Sequence, residues 1–455
     1  MSASQMTVAV VGTGYVGLTT GVALAYLGHH IIAIDKDPRK IELLSKYQSP
    51  IHEKGLQELL TTARSKITVT PDYEPAAEAD VIIIAVGTPP KQNGEADTRF
   101  VEAAARDIAS VLKADRDYVV VVKSTVPIGS NRRVASVIEK VLAERGVVTR
   151  VTFASNPEFL REGMALHDTL YPDRIVIGSE KDQAISTLRK MYQPLLEQTF
   201  DAPSFLPRPA SFPLPPLITT DPTSAEMIKY AANAFLAVKI SFINEVAGLC
   251  EKVGADVLEV ARGMGLDSRI GPKFLQAGLG WGGSCFPKDT QALQAIAGEY
   301  GYTLPIIHAS REVNARQRVL VLEKLQSALK VLRGRTITVL GMAFKPGTDD
   351  VRDSPGMELM QVLLERGVHV RGHDPIAIEN ARNMLADMDI KWCEDVEESM
   401  KEADAILIAT DWPEYKHLPW NDLVKHMKTP VIVDARNILS HYDFDGNVNY
   451  IGVGR

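Results

Sequence analysis

The 455-residue sequence predicts an α/β fold with two doubly wound sheets joined by a long central helix. Near the N-terminus, short apolar strands alternate with helical segments. A long apolar helical segment then ends at about residue 253, and the strand–helix order begins again near residue 334. Apolar strands that alternate with helices are typical of parallel sheets covered on both faces. The recurrence therefore predicts two such sheets in one chain.

The first sheet begins with a βαβ unit of about 30 residues. The β-rich run TVAVV at 7–11 precedes the glycine turn GTGYVG at 12–17, a helical pattern to about Leu27, and a strand at 31–35. Further strands are expected at 79–86, 117–124 and 150–155. Together these segments predict a first Rossmann-like domain over residues 1–200.

The middle of the chain combines a proline-rich segment with a long helix. Residues 201–222 contain seven prolines, which favour a linker or a surface loop. Thr223 and Glu226 then fit a capping box that opens a helix running to about Val253. Because this helix is apolar nearly all round, it is expected to be buried between domains or subunits. We therefore expect a central helical domain over residues 223–330, in at least a homodimer.

The second Rossmann-like domain is expected over residues 331–455. RTITVLG at 335–341 indicates a strand and a glycine turn, 354–367 a helix, and VHVRGHDP at 368–375 a strand that ends in Asp374. Two later apolar runs, at 403–411 and 429–436, follow in the same order as their counterparts in the first domain.

Composition and charge exclude several classes of protein. With 50 Lys and Arg against 57 Asp and Glu, the net charge is −7, and 45% of the residues are hydrophobic. These values are typical of a soluble globular protein and argue against nucleic acid as a partner. No apolar run approaches the roughly 18 residues of a membrane span. The three cysteines lie far apart and form no CxxC, so neither a disulfide framework nor a metal site is expected, and the cytoplasm is the expected location.

The glycine turn predicts a dinucleotide site. Gly12 and Gly14 allow a tight turn and close approach of a pyrophosphate, and Gly17 lets the helix pack on the strand. The helix then directs its positive N-terminal end at the phosphates. Asp35 ends the next strand, where a carboxylate accepts from a ribose 2′-OH and repels a 2′-phosphate, so NAD is favoured over NADP. The alternative is a glycine turn without a ligand.

Polar residues follow the other strands of the first sheet. In open parallel sheets, ligands bind at the carboxyl ends of the strands. Those ends carry Thr88, Ser124-Thr125 and Asn156-Pro157-Glu158. Hydroxyls, an amide and a carboxylate are therefore expected on one rim, although Thr-Pro and Asn-Pro also begin ordinary turns.

Cys285 lies in the sharpest local motif, GWGGSCFPKD at 280–289. The glycines before it allow backbone N–H groups and a substrate to approach the sulfur, and Lys288 favours the nucleophilic thiolate. The alternative is an inert, small hydrophobic residue, which is the interpretation that we favour for Cys250 and Cys393.

Lys229 and Asn233 lie four residues apart on the long helix, so they share one face with Glu226 and Asn244. A thin polar stripe on an apolar helix needs partners. One alternative is that these polar side chains are solvated or paired for structural reasons. The other is that Lys229 takes part in the reaction, because a buried lysine can act as an acid, a base or an electrostatic stabiliser.

Several long motifs, in a fixed order over nearly the whole chain, resemble the nucleotide-sugar 6-dehydrogenases of the UDP-glucose/GDP-mannose dehydrogenase family. They are GTGYVG (12–17), STVPIGS (124–130), NPEFLREG (156–163), PDRIVIG (172–178), EMIKYAANAFLAVKISFINE (226–245), RIG (269–271), GWGGSCFPKD (280–289), GMAFKPGTDDVRDSP (341–355) and DAR (434–436). The resemblance implies NAD as cofactor and UDP-glucose as substrate. The C6 alcohol of the sugar would become a carboxylate in a four-electron oxidation without release of the aldehyde.

The resemblance also implies catalytic roles. Cys285 matches the family nucleophile, which traps the aldehyde as a thiohemiacetal and passes through a thioester. Lys229 matches the lysine that steadies the developing alkoxide. Asp289 and Thr125 match residues that hold the water and proton network, and Glu158 matches the carboxylate proposed to activate the hydrolytic water. Asn233, beside the lysine, is expected to add a second donor.

Two sets of binding residues complete the expectation. The cofactor set is Gly12, Gly14, Tyr15, Val16, Gly17, Asp35, Lys40, Thr88, Thr125, Glu162 and Arg352. The substrate set is Glu158, Phe159, Leu160, Arg161, Lys229, Asn233, Arg269, Lys273, Phe274, Gly282, Phe344, Lys345 and Arg436. Lys345 and Arg436 would supply cations for the two phosphates, and Arg269 resembles an arginine that reaches the site of the neighbouring subunit.

The sequence departs from the family pattern at two places. Trp281 stands where Phe is usual, which is expected to reshape the sugar pocket slightly, and the proline-rich segment 201–222 is longer than usual. The alternative substrates within the family are GDP-mannose and UDP-N-acetylmannosamine. A two-electron hydroxyacid dehydrogenase would need neither Cys285 nor a second sheet, and a non-catalytic nucleotide-sugar sensor would not need Lys229, Cys285 and Asp289.

Overall fold

The computed structural model describes residues 5–455. The chain divides into two compact units, Met1–Ala231 and Ala232–Arg455. The sequence boundary between the units falls inside one long helix, Pro222–Val253. In the described part of the chain, the strands of each unit form a largely or wholly parallel sheet, so the predicted α/β class with two doubly wound domains is confirmed.

The sheet of the first unit has the strand order β3-β2-β1-β4-β5-β6-β7-β8. Its strands are β1 (Thr7–Val11), β2 (His30–Ile34), β3 (Ile67–Thr70), β4 (Val81–Ile84), β5 (Asp117–Val122), β6 (Arg150–Ser155), β7 (Ile175–Gly178) and β8 (Leu217–Thr220). All neighbours pair in parallel except β6 and β7, which share one antiparallel bridge between Ser155 and Gly178. The strand order reverses between β1 and β4, and ligands bind at such switch points in doubly wound sheets.

Helices cover both faces of this sheet. They are α1 (Tyr15–Tyr26), α2 (Pro38–Ser45), α3 (Leu56–Ala63), α4 (Arg99–Val111), α5 (Ser130–Arg145), α6 (Ala165–Leu170) and α7 (Asp182–Glu197). Because side chains alternate along a strand, β1 directs Val8 and Val10 into one hydrophobic core and Ala9 and Val11 into the other. Each buried Val contributes roughly 1.5 kcal/mol or more to folding. This explains why the strand reads as a continuous apolar run.

The proline-rich segment differs from its prediction as a linker. Strand β8 lies within it and pairs in parallel with β7, beginning with Leu217 opposite Ile175. Phe205 and Phe212 pack against the core of the first unit. Prolines precede the strand, and β8 is at the sheet edge, where a missing N–H is tolerated. The segment is therefore an ordered part of the first unit.

The long helix α8, Pro222–Val253, begins one residue before the predicted cap. Asp221 accepts from the N–H and the Oγ of Ser224 at 2.9 and 2.6 Å, as residues that cap a helix do. The predicted capping box of Thr223 and Glu226 is wrong, because the Glu226 carboxylate reaches another element. It accepts from the N–H groups of Gly129 and Asn131 at 2.6 and 2.9 Å, at the N-terminus of α5.

One apolar face of α8 is exposed in the described single chain, so its expected burial against another subunit stays a prediction. Phe235, Phe242 and Leu249 recur every seven residues and are 63%, 46% and 61% exposed. In length and composition α8 is the one described helix that qualifies as a membrane span, with 44% of its most apolar window buried. Core helices of soluble proteins satisfy the same criterion, and the partial burial is consistent with that interpretation.

The sheet of the second unit has the order β11-β10-β9-β12-β13-β14 and is parallel throughout. Its strands are β9 (Thr336–Leu340), β10 (His369–His373), β11 (Ile390–Trp392), β12 (Ala405–Ile408), β13 (Val431–Asp434) and β14 (Asn449–Ile451). Its helices are α9 (Val257–Gly265), α10 (Phe286–Glu299), α11 (Pro305–Leu329), α12 (Pro355–Glu365), α13 (Ile378–Met384), α14 (Val396–Met400), α15 (Pro413–Lys416) and α16 (Trp420–Leu423). The strands predicted from the return of the strand–helix order are confirmed.

Candidate active site

The glycine turn connects β1 to α1 as the sequence predicts. Gly12 has a φ of +95°, which favours glycine. A Cβ on Gly17 would lie 1.8 Å from the carbonyl oxygen of Gly12, so this residue must lack a side chain for the helix to meet the strand. A Cβ on Gly14 would meet nothing within 4 Å. The turn is therefore tightly packed at Gly17 and open at Gly14, the N-cap of α1.

Asp35 follows β2 directly and is anchored to the glycine turn. One carboxylate oxygen accepts from the N–H and the Oγ1 of Thr13, both at 2.7 Å, and the other accepts from the N–H of Asp37 at 3.0 Å. Lys40 pairs with it at 3.2 Å. Burial acts to raise the pKa of Asp35, but these hydrogen bonds and the Lys40 charge outweigh it and hold the pKa below its usual value. The carboxylate is thus kept ionised.

The rim of the first sheet holds Thr88 and Thr125 close together. The Oγ1 of Thr88 donates to the backbone oxygen of Thr125 at 2.7 Å. A small cavity of about 10 Å³ lies beside Thr125 and is also lined by Ser155, Glu226 and Lys229. That volume is close to what one water molecule needs.

Glu158 and Lys229 form a buried ion pair in the first unit. The Lys229 Nζ lies 2.8 Å from one Glu158 oxygen, and both side chains are at least 94% buried. The other Glu158 oxygen accepts from the N–H of Leu160 at 2.6 Å. Burial acts to raise the pKa of Glu158, but the Lys229 charge and the hydrogen bonds lower it overall. Both carboxylate oxygens are therefore engaged, and the group is ionised.

The segment after Glu158 presents an aromatic ring and a paired arginine. The Arg174 guanidinium lies 3.7 Å from the centre of the Phe159 ring, with the Lys229 Nζ at 5.8 Å from the same ring. Arg161 is held by Asp168 through a two-point contact at 2.9 and 2.6 Å. Glu162, which follows, is half-buried. Arg161 thus has an acidic partner within its own segment.

The predicted nucleophile Cys285 lies in the second unit, as the N-cap residue of α10. Its thiol is half-buried, and its Sγ lies 3.6 Å from the Oγ of Ser284. A helix N-terminus favours negative charge, which suits a thiolate. Cys250 and Cys393 are buried, as expected for structural cysteines.

Asp289 lies one turn after Cys285 and is fixed from two sides. The Nδ2 of Asn233 donates to one carboxylate oxygen at 2.6 Å, and the Nζ of Lys288 contacts the other at 2.5 Å. The Asp289 N–H donates to the Cys285 carbonyl at 2.8 Å. Asp289 is 1% exposed. The structure thus brings together three of the predicted catalytic residues, Asn233, Cys285 and Asp289, in one unit.

The glycine loop before Cys285 packs closely on the loop that follows β9. A Cβ on Gly282 would lie 2.0 Å from the Asp353 carbonyl, and one on Gly283 would lie 2.6 Å from the Phe344 ring. Gly280, with a φ of +96°, has no room for a side chain beside Asn314. The predicted substrate residues Gly282 and Phe344 therefore belong to adjoining loops.

Three predicted phosphate or cofactor cations lie on the second sheet's loops. Arg436 follows β13 and donates to the carbonyls of Ala409 and Gly280 at 2.7 and 3.2 Å, and burial lowers its pKa. The Lys345 Nζ lies 5.5 Å from the centre of the Phe344 ring. Arg352 is held by Asp350 through contacts at 2.9 and 2.7 Å.

The remaining substrate predictions lie on a segment between α9 and α10. Arg269 pairs with Asp267, and its side chain is 87% exposed. Lys273 is exposed, and Phe274 is half-buried with a φ of +65°. The Phe274 ring lies 6.4 Å from that of Phe286. Within the described chain, Arg269 and Lys273 are thus exposed, and their predicted substrate contacts stay predictions.

Trp281, which was expected to reshape the sugar pocket slightly, lies in the core of the second unit, and its effect on the pocket stays a prediction. The residue is 6% exposed, and its Nε1 donates to the Oγ of Ser241 at 3.0 Å. The ring packs edge-on against Phe286 at 6.2 Å. Trp281 is therefore a core residue, because the helix α8 offers it a hydrogen-bond acceptor inside the second unit.

Sequence reasoning overlooked three site residues. Lys123 contacts Asn156 at 3.1 Å, and Arg174 stacks on Phe159. Glu53 is buried and accepts from the N–H groups of Gly163 and Leu166, which holds the segment after Glu158. A lysine at the end of an otherwise apolar strand was the available signal for Lys123. Neither spacing nor composition points to Glu53.

Comparison with known proteins finds the three parts of one family in order along the chain. Residues 6–196 match the NAD binding domain of the UDP-glucose/GDP-mannose dehydrogenase family, residues 223–316 its central domain, and residues 338–441 its UDP binding domain. This chain belongs to the UDP-glucose/GDP-mannose dehydrogenase family. It is an oxidoreductase with this family's NAD-binding domain.

Relatives and solved structures agree. UDP-glucose 6-dehydrogenase TuaD of Bacillus subtilis (strain 168) is 46% identical over 95% of this chain and 89% of its own length. A UDP-glucose dehydrogenase from Pyrobaculum islandicum is 39% identical, with a TM-score of 0.87 over 99% of this chain and 98% of that one. A UDP-D-ManNAc dehydrogenase from Pyrococcus horikoshii is 28% identical, with a TM-score of 0.84 and 99% coverage of both chains.

Proposed function

We propose that this member of the UDP-glucose/GDP-mannose dehydrogenase family oxidises the C6 alcohol of UDP-glucose to a carboxylate, using two NAD and one water. The arrangement of Cys285 carries the proposal. A thiol at a helix N-terminus has a buried carboxylate, Asp289, fixed one turn later by Asn233 and Lys288. A two-electron dehydrogenase has no need of such a nucleophile. The 46% identity to a protein named UDP-glucose 6-dehydrogenase supports the choice of sugar.

The residues of the glycine turn fit NAD. Gly14 is open on the side where a Cβ would stand, so the backbone at the α1 N-terminus is accessible to a pyrophosphate. Asp35 is held ionised at the end of β2, where it accepts from a ribose hydroxyl. NAD, when bound, accepts the hydride removed at each of the two oxidations. Tyr15, Val16, Lys40, Thr88, Thr125, Glu162 and Arg352 remain predicted contacts.

Lys229 would stabilise negative charge on the C6 oxygen. Its Glu158 partner favours the ammonium form, so a donor is held ready in a buried environment where charge interactions are strong. Asn233, one turn later in the same helix, is a second predicted donor. Because both Glu158 oxygens are engaged, its predicted role as base for the hydrolytic water requires one contact to be released. Holding Lys229 in place is the role that its contacts support directly.

Cys285 would form the covalent intermediate. The thiolate adds to the C6 aldehyde, and the new C–S bond with a proton on oxygen makes a thiohemiacetal. Loss of the second hydride and that proton gives a thioester, and water then breaks the C–S bond to release the carboxylate and the thiol. Asp289, fixed beside Cys285, is the predicted carrier of protons in these steps.

The second sheet is the proposed site of the UDP group. Lys345 and Arg436 supply positive charge on neighbouring loops of an overall acidic chain. Phe159, Leu160, Arg161, Lys273, Phe274, Gly282 and Phe344 are further proposed substrate contacts. UDP-N-acetylmannosamine and GDP-mannose stay alternative substrates, since a relative with the same fold is named for the first.

We infer that the chain forms at least a homodimer in the cytoplasm. Phe235, Phe242 and Leu249 form an exposed apolar face of the kind that marks association sites, and this face suits a second copy of the chain. The strongly exposed Arg269 is consistent with its predicted reach into a neighbouring subunit. Light scattering at decreasing protein concentration tests the dimer, and Phe242→Glu is expected to yield monomers.

The decisive experiment counts NADH per sugar. Limiting UDP-glucose is incubated to completion with excess NAD and purified protein. Two NADH per sugar and a UDP-glucuronate product support the proposal. One NADH per sugar would indicate a two-electron enzyme. If no NADH forms with UDP-glucose but two NADH form per UDP-N-acetylmannosamine or GDP-mannose, that sugar nucleotide is the substrate instead.

Cys285→Ser tests the covalent step. We expect net turnover to fall by about 100-fold or more, because a serine hydroxyl is a weaker nucleophile than a thiolate and its alkoxide leaves an acyl-enzyme less readily than a thiolate does. Cys393→Ala is the matched control, because Cys393 is buried and lies in the same unit. Steady formation of two NADH per sugar by Cys285→Ser near the normal rate would contradict the role.

A further inference from the structure

Arg174 is a half-buried cation that the proposed chemistry does not use. It directly precedes β7, and its guanidinium carbon lies 3.7 Å from the centre of the Phe159 ring. At this distance the cation lies over the face of the ring, a contact that engages none of its five N–H donors. Within residues 5–455, no hydrogen bond or ion pair joins this guanidinium to another residue, although the nearby charge of Asp173 acts on it. Arg174 is therefore held by a ring, and its donors are available to a ligand.

Two other cations in this part of the first unit already have acidic partners. The Lys229 Nζ lies 2.8 Å from a Glu158 oxygen, and Arg161 contacts Asp168 at 2.6 Å. Each of these pairs has a net charge of zero. Arg174 differs from both, because its positive charge is not balanced by a contact with a carboxylate. An anion that enters this part of the unit would therefore find a cation whose hydrogen bonds are not yet made.

Arg174 and Lys229 approach the same aromatic ring. The Lys229 Nζ lies 5.8 Å from the centre of the Phe159 ring, and the guanidinium carbon of Arg174 lies 3.7 Å from it. These two distances add to 9.5 Å, which is the greatest separation that the two charged groups can have. A carboxylate that bridges an ammonium and a guanidinium at about 2.8 Å on each side holds them roughly 7–8 Å apart. One carboxylate can therefore contact both residues.

The proposed reaction creates such a carboxylate beside Lys229. It converts a neutral alcohol at C6 into an anion, and the charge of Lys229 is already balanced by Glu158. We propose that Arg174 binds the C6 carboxylate of UDP-glucuronate through a two-point contact and so distinguishes the product from the neutral substrate. A guanidinium matches the two oxygens of a carboxylate, whereas an alcohol offers it a single neutral oxygen. This inference rests on the proposed function, and it predicts that the product competes with UDP-glucose for the site.

Binding of the two sugar nucleotides tests the contact without turnover. Arg174→Met removes the charge and keeps an apolar side chain that can lie on Phe159. In calorimetric titrations without NAD, its affinity for UDP-glucuronate should fall about tenfold or more, and its affinity for UDP-glucose by less than about threefold. Arg189→Met, at an exposed arginine of α7, is the matched control and should change neither affinity. Equal losses for both nucleotides would place Arg174 at the diphosphate or in packing, and would overturn the proposal.

A second variant separates charge from shape. Arg174→Lys keeps the positive charge but lacks the planar fork. Its affinity for UDP-glucuronate should lie between those of wild-type protein and Arg174→Met, and its affinity for UDP-glucose should be that of wild-type protein. Should Arg174→Met not fold, Arg174→Lys decides the question. A larger loss for UDP-glucuronate than for UDP-glucose supports the contact, and equal changes for the two, including none, overturn it.

Product inhibition gives a kinetic readout of the same contact. The inhibition constant of UDP-glucuronate against UDP-glucose should rise about tenfold in Arg174→Met, while the KM for UDP-glucose stays within about threefold of its wild-type value. A purely structural role would move both constants together. If wild-type protein binds neither nucleotide and reduces no NAD, the proposed function fails, and this inference fails with it. If wild-type protein oxidises UDP-glucose and Arg174→Met leaves the ratio of the two constants unchanged, only the Arg174 inference fails.

Discussion

The two sheets of this chain share an order of strands but differ at the turn after their first strand. In both, a glycine of the following helix packs on the first glycine of the turn: Gly17 on Gly12, and Gly356 on Gly341. The glycines are 17 − 12 = 5 residues apart in the first sheet and 356 − 341 = 15 in the second. The packing contact is thus retained, while ten extra residues in the second turn form a loop. The glycine contact that packs the helix on the strand can therefore be kept while the rest of the turn changes in length.

The two sheets also differ at the acidic residue that follows their second strand, which is Asp35 after β2 and Asp374 after β10. Asp35 binds the glycine turn through Thr13 and also faces Lys40. Asp374 accepts from four backbone N–H groups, between Met342 and Ala377, and from the Nε1 of Trp412, and it is 1% exposed. The Asp35 carboxylate remains accessible at the predicted ribose site. The Asp374 carboxylate is buried, and its hydrogen bonds are made within the second unit.

The largest expected effect is that of Gly17→Ala. The new Cβ would collide with the Gly12 carbonyl at 1.8 Å, so we expect a loss of about 3 kcal/mol or more in unfolding free energy. Gly356→Ala, with a closest approach of 2.6 Å, should cost less. Gly14→Ala is the control, because it meets nothing within 4 Å and should weaken NAD binding without unfolding the protein. Urea denaturation and calorimetric titration with NAD give the two quantities, and equal stability of all three would refute the packing argument.

Next in size is Asp374→Asn. Its new amide would place two donors against backbone N–H groups, which should destabilise the protein by about 3 kcal/mol. The ratio of NAD to NADP use should not change, because the residue is enclosed. Thermal unfolding and the two cofactor kcat/KM values measure this. A shift in cofactor preference would show that the second sheet takes part in binding the cofactor.

Asp35→Ala should act in the opposite way. We expect a loss of stability of about 1 kcal/mol, smaller than that of Asp374→Asn, because Thr13 and Asp37 lose their acceptor. NAD binding should weaken, and the preference for NAD over NADP should fall tenfold or more, about 1.4 kcal/mol. The change removes the charge that repels a 2′-phosphate and releases Lys40. The same kcat/KM ratio is the measurement. An unchanged ratio would argue against a ribose contact at Asp35.

The smallest effect is one of pH. Because the pKa of Asp35 is held below its usual value, the stabilisation that its charge provides is present above about pH 4 and is lost as the pH falls through the lowered pKa. The Asp35 carboxylate is also ionised throughout about pH 5 to 8, so its contribution to NAD affinity should stay constant over that range. Titrations at several pH values test this, with Asp35→Asn as a control that should be insensitive to acid. A decline already between pH 7 and 6 would implicate another group.

The sequence predicted the parts of the fold whose signals are local. Apolar runs identified β1, β4, β5 and β9, and the glycine pattern located the turn before α1 correctly. The short strands β7, β8, β11 and β14 were not predicted as strands, because three or four residues carry little periodicity. Strand β8 was overlooked because the prolines before it favour a loop. It forms only because β7 offers it a free sheet edge in the folded unit.

The site was predictable by residue type but not by partner. The sequence placed Cys285 at a glycine-rich turn and Lys229 on a helix, and both are where it indicated. It could not show that Glu226 binds the start of α5 or that Trp281 turns into the core, since both contacts join distant segments. Lys123 was overlooked because its four preceding valines read as a strand, and burial of its side chain depends on Asn156.

The packing of Gly282 against Asp353 limits how this enzyme can be altered in the laboratory. A Cβ there would stand 2.0 Å from a backbone oxygen, so a library that randomises the glycine loop by itself should return almost only glycine. Because that oxygen belongs to the backbone, a side chain at Gly282 requires the main chain of the loop between Gly341 and Gly356 to move as well. Since Gly282 is a proposed substrate contact, changes to its loop in search of a new sugar specificity need matching changes in a segment that is distant in sequence, and screens of single substitutions will miss them.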